Sequence, residues 1–106
     1  MSYLNRAQTL VNEVCSDLEQ TEKEYQVSED PFSNFRVIAA SLGQTDLQIG
    51  MVYLMKHIFG IANYIKNPQN KQRDDFRGRI KDAIAYLILL EGMWNESRPS
   101  MESNRK

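Results

Sequence analysis

The chain has 106 residues, a length that suits one domain able to bury most of its apolar surface without disulfide or metal staples. Hydrophobic residues make up 42% of it and charged residues 25%, close to globular averages, which excludes a chain disordered or membrane-embedded throughout. Thirteen Lys and Arg stand against fourteen Asp and Glu, a formal charge of -1, and with no long basic run nucleic acid is not an expected partner.

The single cysteine, Cys15, leaves no intrachain disulfide or multi-cysteine zinc site and fits a reducing compartment. The opening MSYLNRAQ lacks the apolar centre of a signal peptide. The most apolar later stretch is broken by Lys81, Asp82 and Glu91 before it reaches membrane-spanning length. A cytoplasmic protein with no membrane partner is therefore expected.

From Leu4 the positions Leu4, Ala7, Val11, Val14, Leu18, Thr21 and Tyr25 advance in steps of three and four, the spacing of one stripe on a first helix. That heptad-like seam suits an intramolecular neighbour or a second copy of the chain. Ser28 to Pro31 signals a new start, with Asp30 capping free amides and Pro31 in the first turn of a short helix. Phe32, Phe35, Ile38, Ala39 and Leu42 form its apolar face, and Gly43 supplies a left-handed end.

Thr45 or Asp46 caps a third helix, whose stripe runs through Leu47, Met51, Leu54, Met55, Ile58, Phe59, Ala62 and Ile65; its breadth predicts a central position. Asn67 before Pro68 ends it, and a polar connection leads to Asp74 or Asp75, which opens the fourth. There Phe76, Ile80, Ala83, Ile84, Leu87, Ile88, Leu90 and Trp94 cover more than one stripe, predicting neighbours on two sides. The whole reads as an all-α compact bundle of about four helices, three long and one short, that self-associates. Residues 1–96 form the helical domain, and 97–106, without periodicity, form a flexible tail.

Three groups of residues carry candidate chemistry. Glu19 and Glu22 lie three apart and can share a helix face, as magnesium-binding carboxylates do, or they form a solvated acidic face. Lys56, Lys66, Lys71, Arg73, Arg77, Arg79 and Lys81 gather around the third helix and the start of the fourth. They could clasp a ligand's phosphates while Tyr53, Tyr64, Tyr86 or Phe76 stacks on a base; the alternative is solubilising charge, since Asp74, Asp75 and Asp82 interleave with them. His57, the sole histidine, reads as a helix-surface residue, and Cys15 as a packed or interfacial thiol.

Lys23, Glu24 and Tyr25 ending the first helix, Asn34 and Phe35 in the short one, Lys56 in the third and Asp82 followed four residues later by Tyr86 in the fourth form an ordered pattern. From about Lys23 to Met93 it resembles small all-helical phage and prophage proteins of the nucleotide-modification-associated, MazG-like type. The resemblance implies a helical fold, self-association, a phage or mobile-element context in the host cytoplasm and a link to nucleotides. MazG-type pyrophosphatases use magnesium held by E-x-x-E and E-x-x-D. Glu19 and Glu22 match the first half, whereas Asp75 and Asp82 are followed three residues later by Gly78 and Ala85, so the second half is missing.

The leading expectation is thus a non-catalytic protein that binds a nucleotide through Lys56, Arg77, Lys81, Asp82 and Tyr86 and needs no cofactor, or one that antagonises a host defence protein. One alternative is a pyrophosphatase holding magnesium on Glu19, Glu22 and Asp82. The other is a structural protein–protein interaction module.

Overall fold

The four helices are α1 (Tyr3–Tyr25), α2 (Ser33–Leu42), α3 (Asp46–Lys66) and α4 (Phe76–Ser97) in a computed structural model that describes residues 2–25, 30–69 and 75–97. Among these residues there is no strand, and no helix is long and apolar enough to cross a membrane. The expected tail lies, apart from Ser97, outside the described residues.

Local chemistry accounts for the helix boundaries. Asp30 accepts from the Phe32 amide at 3.0 Å, and its carbonyl accepts from Ser33 at 3.2 Å. This Asx turn leaves Pro31 ahead of the helix instead of inside its first turn, so α2 begins at Ser33. Gly43 closes α2 at φ 66, with the Gln44 amide reaching back 2.9 Å to the Ala39 carbonyl.

Thr45 opens α3 with a full capping box: its hydroxyl accepts from the Gln48 amide at 3.1 Å and the Gln48 side chain accepts from the Thr45 amide at 2.8 Å. Asp75 caps α4 from one side only, accepting from the Gly78 amide at 2.7 Å.

The helices touch in the spatial order α1, α4, α3, α2. α3 runs antiparallel to α4, so that Gly50 meets Leu90 and Met93 at one end and Tyr64 meets Phe76 at the other. α1 lies alongside α4 in the same direction, with Glu13 reaching Arg77 and Lys81, and Asp17 reaching Lys81. The expected two-sidedness of α4 and centrality of α3 follow from this order.

Among the described residues the core is small: Val14, Phe32, Ala39, Ile49, Leu54, Ala83 and Met93, with Met93 0% and Val14 1% exposed. It requires close approach at one crossing. A Cβ on Gly50 would stand 2.8 Å from Leu90 Cδ2 and 3.0 Å from Met93 Cε, so glycine lets α3 and α4 come together there. The α1 seam is only half used. Val14 is buried and Leu18 half-buried, while Leu4 and Val11 are exposed. Because Glu13 already meets the first turn of α4, the seam residues ahead of it have no described helix beside them.

Candidate functional site: an aromatic-walled groove

α1 and α2 do not pack on each other, and the gap between them is a groove of about 630 Å³. Leu18, Thr21 and Glu22 of α1 form one side, and Ser33, Asn34, Phe35, Val37 and Ile38 of α2 form the other. Asp30 and Pro31 stand at one edge, and Tyr53 of α3 with Tyr86 and Leu89 of α4 make the floor. The groove exists because α4 and α3 separate the two outer helices, so the apolar faces of α1 and α2 converge on the same tyrosines without closing over them.

The floor is a ring stack. Tyr86 stacks with Tyr53, at 5.7 Å and 10°, and with His57, at 5.3 Å and 24°. Phe35 points edge-on at both tyrosines, at 6.1 Å from Tyr53 and 6.3 Å from Tyr86. Tyr53 and His57 are four apart on α3, so both can reach a single ring from α4. Phe35, Tyr53 and Tyr86 all line the groove, so a guest there packs against aromatic side chains.

His57 is not a surface histidine. Its side chain is 12% exposed, covered by the stack, with Asp82 Oδ2 3.8 Å from Nδ1 and Arg79 Nη1 at 3.5 Å from the same nitrogen. Arg79 itself lies across Gly60, where a Cβ would come within 2.9 Å of its Nε. Cys15 is exposed and free.

Burial raises the Tyr86 pKa above its ordinary 10.0, with Tyr53 and Asp82 adding in the same direction. In the unfolded chain the phenol ionises near its ordinary value, whereas in the native state it holds its proton to higher pH. Tyr86 therefore contributes stability that is intact below pH 10.0 and is lost as pH rises from there through the native pKa. In an ultraviolet phenolate titration, Tyr86→Phe is expected to remove one phenol that titrates above pH 10.0. The fall in Tm on going above pH 10.0 is expected to be smaller in that variant than in the parent.

The sequence-predicted ligand residues are not brought to one place. Arg77 is paired with Glu13. Lys81 donates to Asp17 at 2.8 Å and lies 3.5 Å from Glu13; the bond to Asp17 raises its pKa despite opposing desolvation. Both cations thus face α1 carboxylates across the α1–α4 contact. Lys56 belongs to the opposite, outer side of α3, beside Met55 and Phe59. Asp82 sits with His57, and only Tyr86 reaches the groove.

Of the acidic trio, Glu22 lines the groove, Glu19 is exposed on α1, and Asp82 is held at the His57 end of the stack. Among the described residues no group of three His, Cys, Asp or Glu side chains is placed to hold a metal ion. Lys71 and Arg73 lie outside the described residues. Leu18, Thr21, Asp30 and Leu89 were not legible as groove residues, since nothing in a single helix pattern tells which stripes converge.

No protein-family model, curated protein or solved structure matches the chain. Its own residues therefore carry the functional argument.

Proposed function

We propose that the protein is a non-catalytic helical binding protein that takes a nucleoside or nucleotide by its base in the groove between α1 and α2. The observation that supports this is the lining by Phe35, Tyr53 and Tyr86 within about 630 Å³, a volume in the range of small-molecule sites. A flat heteroaromatic ring gains apolar contact with Phe35, Tyr53 and Leu89, while Thr21, Ser33 and Asn34 offer hydrogen bonds to its edge.

Among the described residues Glu22 and Asp30 are the only charged side chains in the lining; Asp30 is already bonded to the Phe32 amide and Arg36, and Glu22 suits amino groups or ribose hydroxyls. The two carboxylates disfavour bare phosphates, which would project to solvent or arrive with a divalent cation. Base and ribose thus carry the recognition, in place of the phosphate clasp expected from Lys56, Arg77 and Lys81. The resemblance to phage nucleotide-modification-associated proteins gives the ligand class its context. A phage protein of this kind would act by withholding a nucleotide signal from a host defence.

Calorimetry with a panel of bases, nucleosides, mono- and triphosphates, with and without magnesium, tests the reading. Nucleosides are expected to bind at least as tightly as magnesium-free nucleotides. Phe35→Leu is expected to weaken binding about tenfold, the low end of about 1–3 kcal/mol for losing an aromatic contact to a base. No binding across the panel would remove the ligand reading and leave a purely protein-directed role. Hydrolysis of the triphosphates with magnesium, lost in Glu22→Gln, would restore the pyrophosphatase alternative.

A further inference from the structure

We propose that the outer face of α3 is the interface of a twofold dimer with a second copy of this chain. α3 meets α4 through Gly50, Tyr53, His57, Gly60 and Tyr64, and half a helical turn away it presents Val52, Met55 and Phe59. These are 63%, 36% and 64% exposed. With Met51 and Lys56 they line a shallow depression of about 460 Å³.

A surface helix of a monomer normally carries many charges on the side away from the core, whereas the middle of the outer face of α3 carries only Lys56. Along its 21 residues the only carboxylate or ammonium side chains are Asp46, Lys56 and Lys66. Depletion of charge around exposed large apolar residues is the composition of an interface centre. The α1 seam is a competing surface, but its exposed apolar residues, Leu4, Ala7 and Val11, are limited to the N-terminal half of that helix and lie beside Arg6 and Glu13.

The pattern also selects the occupant and its direction. Val52, Met55 and Phe59 follow the three-and-four spacing of a coiled-coil seam. About an axis near Met55, an antiparallel copy sets Val52 against the partner's Phe59 and the reverse, which closes the contact on itself. The same direction places the acidic first turn of α3, at Asp46, toward the basic last turn of its mate, at Lys66, and aligns the helix dipoles favourably. A parallel pair would set like ends together. The exposed parts of Met51, Val52, Met55 and Phe59 come to on the order of 400 Å² per chain, half of the ~800 Å² per partner of a standard interface. The methylene stem of Lys56 and the polar flanks at Gln48 and Asn63 supply further area.

The dimer is independent of the ligand reading, because Val52 and Phe59 point away from the groove floor formed by Tyr53. Light scattering or sedimentation equilibrium on the full chain is expected to give twice the chain mass. Phe59→Glu and Val52→Glu are expected to halve that mass with the far-ultraviolet helical signal unchanged, while Leu4→Glu on α1 leaves it doubled. In a Cys15→Ser background, Met55→Cys is expected to cross-link to its own mate on mild oxidation. A parent chain that is monomeric at all concentrations overturns the proposal, as does a Phe59→Glu variant that retains the doubled mass. A Leu4→Glu variant that is monomeric moves the interface to α1. Should the glutamate variants fail to fold, absence of the Met55→Cys cross-link overturns the proposal by itself.

Discussion

Replacing Met93 by alanine is expected to lower the unfolding free energy by about 2–5 kcal/mol, the range for deleting a fully buried long side chain and leaving a cavity. Met93 is 0% exposed and its methyl group lies against the α3 backbone at Gly50, so the gap cannot close without moving α3 relative to α4. Among the described residues the core has few other members, and small domains hold only about 5–15 kcal/mol in total. Urea unfolding followed by circular dichroism is therefore expected to show a sharply lowered midpoint. Met93→Leu, which conserves volume, is expected to cost less than about 1.5 kcal/mol. Equal effects from the two variants would mean that the α3–α4 crossing is not packed around this side chain.

Phe32→Ala is expected to cost about 3 kcal/mol, the lower end of the range for removing a buried aromatic ring, and to weaken ligand binding in the groove as well. Phe32 is 8% exposed. Its ring tip sits against Gly92 of α4, where an added Cβ would come within 2.8 Å of Cζ, and the Arg36 guanidinium lies 5.7 Å from the ring centroid. Arg36 in turn joins Asp30, Asp46 and Glu96, linking the start of α2 to α3 and to the end of α4. Those partly exposed ion pairs are worth less than the burial of the ring, so the ring is the main anchor of this end of α2.

Losing the ring frees α2 to shift, and α2 carries Phe35 and Ile38 of the groove wall. Binding is therefore expected to fall together with amide-exchange protection in α2, while protection at the α3–α4 crossing changes less. A variant that loses stability uniformly but keeps full affinity would show that α2 does not define the groove.

The helices themselves were readable because capping and termination are local. Thr45 with Gln48, Gly43 after Leu42, Asn67 before Pro68 and Asp75 before Phe76 each act within a few residues, and each is found at a boundary. The start of α2 shows the limit of that logic: Asp30 captures the Phe32 amide from outside the helix, so a turn replaces the expected first helical turn. The two-stripe pattern of α4 also translated directly, because a residue set too broad for one neighbour needs two.

The site was far less legible. Arg77 and Lys81 share a region with Lys56 in the sequence, yet α1 draws the first two into ion pairs and the helical phase of α3 turns the third to the opposite side. His57 reads as a surface residue from its residue type alone, but the phase of α3 turns it toward α4 and the ring of Tyr86 stacks on it. Asp82 and Tyr86 do share a face, as their spacing required. The face turns out to serve the aromatic stack, and only Tyr86 extends to the groove.

The sequence by itself determined four amphipathic helices, their boundaries to within a turn and the absence of a complete E-x-x-E and E-x-x-D pair, since these depend on periodicity and on contacts between near neighbours in the chain. Only the tertiary structure decided that α1 and α2 stand apart with Tyr53 and Tyr86 between them, that Glu13 and Asp17 occupy Arg77 and Lys81, and that Val52 and Phe59 face outward. Those outcomes depend on the order in which helices pack and on the rotation of each about its axis. Both are set by long-range fit, at places such as Gly50 against Met93 and Gly92 against Phe32, which no single helix pattern encodes.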